Sequence, residues 1–295
     1  MSLTATIVIP AYERADALDR TLSIVTPLAS PAVDILVVDD CSSTPDVAAT
    51  CARYGDLVQY ARTPRNSGVI GARNHAYGLA QGDIVFNLDD DSHFATPEVL
   101  AITLDEFERE PRLGLVTYNV RDARGLALGP EAEPFACYTY SGGASAVRRS
   151  VLQRAGALSP LFWRQGEELE HSLRIYDAGF EGKFLPRLIV NHEESLINRD
   201  VKKNITLAAA NYFKRVILRY PLHQLPMGLL RCFGFIARNL RQLSLGGIAS
   251  ELARSDRGLL AAIRQRRPVR PETFAKLSQI KRRELQTRRR HAAGR

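Results

Sequence analysis

The sequence lacks the cysteine patterns of a zinc site or a disulfide scaffold. Its 295 residues include four cysteines, at positions 41, 51, 137 and 232, with no CxxC pair and no histidine partner at metal-ligand spacing. Such scattered cysteines fit a reducing compartment, and we therefore expect a cytoplasmic protein.

Long apolar runs are also missing. No stretch approaches the roughly 20 apolar residues that a membrane-spanning helix needs. The N-terminus, Met1-Ser2-Leu3-Thr4, enters an apolar segment with no preceding basic region, so we expect no signal peptide. These absences predict a soluble protein, or one peripheral to the inner face of the cytoplasmic membrane.

Two common nucleotide-binding loops are absent as well. Neither GxGxxG nor GxxxxGK[ST] follows the first apolar strand, which argues against a dinucleotide-dependent oxidoreductase and a P-loop enzyme. The hydrophobic content of 45% is nevertheless ample for a sizeable globular core.

Charge divides the chain into two parts. Residues 1–201 carry 18 Lys and Arg against 28 Asp and Glu, a formal charge of −10. Residues 202–295 carry 22 Lys and Arg against 4 Asp and Glu, a formal charge of +18. We therefore predict an acidic domain over 1–201 and a basic α-helical region over 202–295, with different partners.

The acidic part alternates apolar strands with amphipathic helices. Strands are expected at 5–9, 33–38, 57–60 and 84–88, with helices between them. This alternation predicts an α/β fold with a mainly parallel, doubly wound sheet. Short connections would bring Pro10 to Glu13, Asp39-Asp40 and Asp89 to Asp91 to one cleft, where such sheets bind nucleotides.

Three consecutive acids, Asp89, Asp90 and Asp91, follow the strand Ile84 to Leu88. Adjacent carboxylates repel one another, and a divalent metal carrying a phosphate would relieve that repulsion. Alternate residues of an extended chain point the same way, so Asp89 and Asp91 can face one ligand while Asp90 turns aside. The alternative is an acidic loop or a helix start near Ser92.

Four blocks of the sequence together resemble those of family-2 glycosyltransferases with the GT-A fold, over about residues 4–195. They are Ile7-Val8-Ile9-Pro10-Ala11-Tyr12, Val37-Val38-Asp39-Asp40-Cys41-Ser42, Asn66-Ser67-Gly68 with Ala72-Arg73-Asn74, and Leu88-Asp89-Asp90-Asp91. The resemblance implies a mixed, mainly parallel sheet flanked by helices, here followed by a basic helical extension. It also implies an inverting transferase that uses Mn²⁺ or Mg²⁺.

The resemblance assigns roles to single residues. Asp39 matches the acid that reads a pyrimidine base, although it could instead form a turn with Ser42. Asp91 matches a direct metal ligand, with Asp89 between the ribose and the metal, and His192 matches a third ligand, although a lone histidine is usually structural. The implied nucleotide-binding set is Pro10, Ala11, Tyr12, Asp39, Arg73, Asp89 and Asp90.

An acid-rich segment, Gly166-Glu167-Glu168-Leu169-Glu170, resembles the family's Glu-Asp block over the acceptor site. Glu168 stands where the family usually has the aspartate that acts as general base, and the longer carboxylate can still take a hydroxyl proton. Glu167 is the second candidate and Glu170 the third. Alternatively, these acids only stabilise the start of a helix.

Residues near that block are the expected acceptor contacts. Trp163 could stack on a sugar ring or belong to the core. Gly142 and Gly143, in an expected strand over 138–147, could allow a sugar to approach the backbone or could form a bulge.

The basic region contains an expected helix over 229–243. Its apolar residues Leu229, Phe233, Ile236 and Leu240 share a face opposite Arg231 and Arg238, a pattern typical of a helix at a lipid interface. We therefore consider an anionic membrane surface as a partner of residues 229–290. Packing onto the acidic domain and homo-oligomerisation are alternatives, and nucleic acid ranks last.

Taken together, the sequence predicts transfer of a sugar from a UDP- or dTDP-linked donor to a hydroxyl of a glycan, lipid-linked or small-molecule acceptor, in polysaccharide or glycoconjugate synthesis. A polyprenyl-phosphate sugar synthase is one alternative. A non-catalytic module that binds nucleotide sugars, membrane or nucleic acid is another.

Overall fold

The structure is a computed structural model that describes residues 3–127, 129, 133–193 and 200–293, with side chains to residue 288. Residues 1–2, 128, 130–132, 194–199 and 294–295, together with the side chains at 289–293, lie outside the described residues.

Nine strands form one mixed sheet in the described chain, in the order β3-β2-β1-β4-β8-β6-β9-β5, with β7 paired to β9. Strands β3, β2, β1 and β4 run parallel, β8 is antiparallel to β4 and β6, and β6 and β9 are parallel again. The strands are β1 (Ala5–Ala11), β2 (Val33–Asp39), β3 (Gln59–Arg62), β4 (Ile84–Leu88), β5 (Ser92–Phe94), β6 (Leu113–Arg121), β7 (Phe135–Ala136), β8 (Ala144–Arg148) and β9 (Glu181–His192).

Helices cover the sheet and form the C-terminal region. After β9, all regular secondary structure in the described chain is α-helical or 3₁₀-helical. The helices are α1 (Ala15–Val25), α2 (Asp46–Ala52), α3 (Gly68–Leu79), α4 (Glu98–Arg109), α5 (Arg149–Ala155), α6 (Glu167–Asp177), α7 (Val201–Arg219), α8 (Leu225–Arg238), α9 (Leu245–Ala253), α10 (Leu259–Arg264) and α11 (Pro271–Ala293).

The strand order reverses between β1 and β4, because β2 and β3 lie on one side of β1 and β4 on the other. Ala11 pairs with Asp39 and Val8 with Asn87. The carboxyl ends of β1, β2 and β4 therefore lie side by side at one edge of the sheet. A crevice at such a reversal is the usual ligand site of an open α/β sheet. The mixed α/β fold expected from the sequence is confirmed.

Two expected elements differ from the structure. The strand expected over 138–147 begins only at Ala144, because the backbone before it turns in a bridge between Ser141 and Ala144. The helix expected over 229–243 is α8, which ends at Arg238. Its buried side is centred on Gly228 and Cys232, and Phe233 and Leu240 are exposed.

The C-terminal helices pack closely on the rest of the chain. Leu173 and Tyr176 of α6 share an apolar cluster with Val216 of α7 and Leu277 of α11. The division into two domains near Val201 therefore remains a prediction. The secondary structure changes there from mixed strands and helices to helices alone. No helix in the described ranges is long and apolar enough to cross a membrane.

Glycine at position 82 is required by a close backbone contact. A Cβ atom at Gly82 would clash with the backbone of Ala5 and Thr6, whereas one at Gly78 in α3 would meet nothing within 4 Å. We predict that Gly82→Ala lowers the free energy of unfolding by about 1–3 kcal/mol, the usual cost of overpacking. Gly78→Ala should raise it by about 0.5–1 kcal/mol, because alanine favours the helix.

Urea denaturation of both variants beside the wild type measures this difference. Equal unfolding midpoints for the two variants would contradict the packing described around Gly82.

Candidate active site

One cavity of about 400 Å³ opens at the strand ends where the sheet order reverses. Its volume lies within the ordinary range for small-molecule sites. Apart from Glu170, the third base candidate, all but one of the residues singled out from the sequence line it: Pro10, Ala11, Tyr12, Arg73, Asp89, Asp90, Asp91, Gly142, Gly143, Trp163, Glu167, Glu168 and His192.

Asp39 is the exception, since it is fully buried and does not line the cavity. Its Oδ2 accepts hydrogen bonds from Tyr60 Oη and Arg62 Nη1, both at 2.9 Å, and its Oδ1 accepts one from the Ser42 amide. A base read by Asp39 would have to share an oxygen with Arg62 or displace it. The assignment of Asp39 to base recognition thus remains a prediction.

Asp89, Asp91 and His192 form a cluster suited to a metal ion. Each offers one ligand atom, and these atoms lie within 4.8 Å of one another. Backbone pairing brings His192 beside Asp91. Ser92 of β5 pairs with His192 of β9, and the Glu193 amide donates a hydrogen bond to the Asp91 carbonyl at 2.8 Å.

The chemistry of this cluster fits a divalent cation. Oδ1 of Asp91 is buried and accepts no hydrogen bond of ordinary geometry within the described chain, and it lies 3.1 Å from Nε2 of His192. Burial alone would raise the pKa of Asp91, but His192 and the charge of Arg14 lower it to about 2. Two carboxylates and an imidazole, with an ionised oxygen between them, suit Mn²⁺ or Mg²⁺ better than a soft metal.

Arg14 was not identified from the sequence, yet it binds two of the three consecutive acids. Its guanidinium pairs with both oxygens of Asp90 and, at 2.7 Å, with Oδ2 of Asp91. Asp90 is thereby engaged by Arg14 and is not among the three residues of the metal cluster. No local sequence pattern indicates this contact, because the partners are 76 and 77 positions apart.

Arg73 is a buried cation that lines the cavity. It is 3% exposed and donates to Oδ1 of Asp89 at 2.6 Å. Glu167 and Glu168 also feel its charge, which favours their ionised forms. Arg73 therefore connects the metal cluster with the acids of α6.

Gly142 and Gly143 leave room for these charged groups. A Cβ at Gly142 would lie 2.8 Å from Nη1 of Arg73 and 3.2 Å from Oε1 of Glu168, and one at Gly143 would clash with the Asp89 carboxylate. This close packing supports the structural explanation for the two glycines and leaves sugar contact as a prediction.

Glu167 and Glu168 enter the cavity from the first turn of α6. The backbone reaches that turn through two left-handed residues, Gln165 (φ 74°) and Gly166 (φ 87°). Burial raises the pKa of both carboxyls, and the charge of Glu168 raises that of Glu167 further. Raised values of this kind suit a group that must gain and lose a proton near neutral pH.

Glu170 has a different, structural environment. It is fully buried and pairs with Arg174 at 2.9 Å and Arg219 at 2.5 Å. Burial would raise its pKa, but the two guanidinium groups outweigh burial and lower it. The third base candidate therefore serves to hold α6 against α7.

The basic region supports the loop that precedes α6. Asn211 of α7 donates to the carbonyls of Arg164 and Gln165, both at 2.8 Å, and Lys214 donates to that of Leu161 at 2.8 Å. Trp163, in the same loop, packs against Gly68, and the Arg257 guanidinium lies 5.3 Å from its ring centre. Helices beyond residue 201 thus shape one wall of the cavity.

Comparisons with known proteins agree with this architecture. A family model described as "Glycosyl transferase family 2" matches residues 6–127. The chain is 31% identical over 214 residues to a putative teichuronic acid biosynthesis glycosyltransferase, TuaG, of Bacillus subtilis (strain 168), covering 69% of this chain and 83% of that protein. It is 35% identical over 86 residues to the succinoglycan biosynthesis protein ExoO of Rhizobium meliloti (strain 1021), covering 29% of this chain and only 25% of that protein.

Two solved structures share the fold. GalNAc-T7, crystallised with UDP, GalNAc and Mn²⁺, superposes with a TM-score of 0.62 at 20% identity, over 75% of this chain and 49% of that chain. The mannosyltransferase PcManGT from Pyrobaculum calidifontis, in complex with GDP-Man and Mn²⁺, gives a TM-score of 0.60 at 15% identity, over 95% of this chain and 79% of that chain.

The packing at Gly143 yields a prediction about metal retention. Gly143→Ala should displace the Asp89 carboxylate, because the new methyl group would occupy its place. We expect Mn²⁺ to bind about tenfold more weakly, the order of loss found when support of a metal ligand is disturbed. Electron paramagnetic resonance of free Mn²⁺ measures the effect.

The control is Gly246→Ala in α9, where a Cβ meets nothing within 4 Å. Unchanged Mn²⁺ binding in the folded Gly143→Ala protein would contradict the metal site at Asp89.

Proposed function

This chain belongs to glycosyltransferase family 2, and we propose that it is an inverting, metal-dependent enzyme that moves a sugar from a nucleotide sugar to an acceptor hydroxyl. The observation that carries the proposal is the single cavity shared by the Asp89, Asp91 and His192 cluster and the carboxylates of α6. A metal-binding group and a general base are the two parts that such a reaction needs.

The donor would occupy the side of the cavity formed by the strand ends. Pro10, Ala11 and Tyr12 follow β1 there, and Asp89, Asp91 and His192 would hold the cation. When bound, the cation supplies positive charge that stabilises the departing diphosphate. Arg14 and Arg73 orient Asp91 and Asp89 in this arrangement through ion pairs.

The acceptor would enter beside α6, near Trp163. Glu168 takes the proton of the acceptor hydroxyl, and that oxygen forms a bond with the anomeric carbon of the sugar. The bond from that carbon to the diphosphate oxygen breaks, and its electron pair leaves with the nucleoside diphosphate. A single displacement of this kind inverts the anomeric carbon.

A uridine or thymidine donor remains our preference, on the family role of Asp39. The neighbouring structures bind UDP in one case and GDP-Man in the other, and their low identity supports the fold alone. The names of the two relatives, which concern teichuronic acid and succinoglycan, favour a growing cell-surface glycan as the acceptor. A polyprenyl-phosphate acceptor is the second candidate, since a phosphate needs no strong base.

The base assignment predicts different results when two neighbouring glutamates are replaced. Glu168→Gln should lower the rate of transfer by about 10²- to 10⁴-fold, the usual contribution of a general base, and leave nucleotide affinity nearly unchanged. The matched variant Glu167→Gln should lose less than about tenfold. Release of nucleoside diphosphate from a panel of UDP- and dTDP-sugars, with and without glycan acceptors, measures the rate.

Full activity of Glu168→Gln would favour the polyprenyl-phosphate alternative. A large loss in Glu167→Gln alone would transfer the base role to Glu167. If no sugar nucleotide is cleaved by the folded wild type, with or without an acceptor, the proposed activity is wrong.

The pH dependence follows from burial of the same carboxyl. Only the ionised form of Glu168 can take a proton, and burial raises its pKa above the ordinary value of 4.5. We therefore expect kcat to rise with pH through that raised pKa and to fall as the carboxyl becomes protonated at lower pH. A kcat profile between about pH 4 and 9 tests this, and a fall in kcat centred at or below the ordinary value of 4.5 would contradict it.

A further inference from the structure

A second groove lies between the start of α8 and the middle of α11. Its volume is about 480 Å³, and it shares no lining residue with the first cavity. Four of its lining residues are basic, and none is acidic: His223, Arg231, Lys281 and Arg282.

The basic side chains of the groove are not neutralised locally. Arg231, Lys281 and Arg282 form no ion pair with any acid in the described chain. The nearest acid of α11, Glu284, is already engaged, since it pairs with Arg288 at 2.9 Å and accepts a hydrogen bond from the Tyr138 amide at 3.2 Å.

Lys281 lies beside an aromatic ring. Its Nζ lies 5.2 Å from the centre of the Tyr138 ring. Partial burial lowers the pKa of Lys281, the charges of Arg215 and Arg231 lower it further, and the charge of Glu284 raises it in opposition. A lysine held in this way repels its basic neighbours, and a bound anion would remove the repulsion.

We propose that this groove binds a phosphate group. Two arginines and a lysine line a space that no carboxylate lines, and such groups recognise phosphate through charge-assisted hydrogen bonds. A phosphate offers several acceptor oxygens and up to two negative charges, so one phosphate can accept from more than one of these donors. The groove is independent of the donor cavity and of the proposed reaction.

The surface beside the groove suggests where the phosphate could come from. Met227, Leu230 and Phe233 of α8 are 46%, 63% and 61% exposed, and they stand on the same helix as Arg231. An anionic phospholipid would place its phosphate in the groove and its apolar part along this row. A soluble phosphate compound would use the groove alone.

Two arms of one experiment separate these sources. Inorganic phosphate is titrated into the full chain with EDTA present and followed by ³¹P NMR. Separately, the chain is sedimented with vesicles of phosphatidylcholine alone or with phosphatidylglycerol added. Each arm compares the wild type with Arg282→Gln, with the double variant Lys281→Gln/Arg282→Gln, and with Arg283→Gln.

Arg283 provides the matched control, because it is exposed on the same helix and does not line the groove. We expect Arg282→Gln to weaken binding about fivefold and the double variant more, through loss of charge-assisted hydrogen bonds, while Arg283→Gln changes it less than about twofold. Arg282 is also exposed, so its replacement should leave the fold intact.

If Arg282→Gln and the double variant bind inorganic phosphate more weakly and Arg283→Gln does not, the groove is a site for soluble phosphate compounds. If the same variants lose binding only to phosphatidylglycerol vesicles, the groove binds a lipid phosphate. The proposal is overturned if the wild type binds neither inorganic phosphate nor phosphatidylglycerol vesicles. It is also overturned if Arg282→Gln and Arg283→Gln weaken binding equally, because that result would mean diffuse attraction to a basic surface.

Discussion

The ion pair between the buried guanidinium of Arg73 and Asp89 is the interaction on which the arrangement of acids in the cavity depends. Asp89, Glu167 and Glu168 line the same cavity, and neighbouring carboxylates repel one another. The Arg73 ion pair with Asp89, at 2.6 Å, places a positive charge beside these acids. Gly142 makes that position accessible, because a larger residue would meet the guanidinium.

A second constraint is the attachment of α6 to the C-terminal helices. Arg219 of α7 binds buried Glu170, and Asn211 holds the two carbonyls that precede α6. The acids at the start of α6 are therefore positioned by a region that composition alone separates from the acidic part of the chain. Changes in α7 should consequently affect the cavity, even though α7 contributes no residue to its lining.

Much of the site could be predicted because its residues come directly after strands that the sequence pattern reveals. Asp89 and Asp91 come directly after a buried strand, and their position at the sheet edge needs only the alternation of β and α elements. The placement of His192 came from the family resemblance, since its pairing with Ser92 joins segments 100 residues apart in the sequence.

Other features depend on contacts that no local pattern encodes. Arg14 looks like an exposed residue at a helix start, and its partners lie beyond β4. Asp39 ends its strand as expected, but Tyr60 and Arg62 from β3 cover its carboxylate. In α8 the apolar residues are numerous enough to define two faces, and packing on α7 and α11 decides which one is buried.

The most direct test of the central claim is calorimetric titration of UDP, dTDP and GDP into the wild type and Asp91→Ala, each with Mn²⁺ and with EDTA. We predict that one nucleotide binds the wild type only with Mn²⁺ and that Asp91→Ala abolishes this binding, since Asp91 belongs to the metal cluster. Absence of nucleotide binding under every condition, or metal-independent binding unaffected by Asp91→Ala, would contradict a metal-dependent donor site in this cavity.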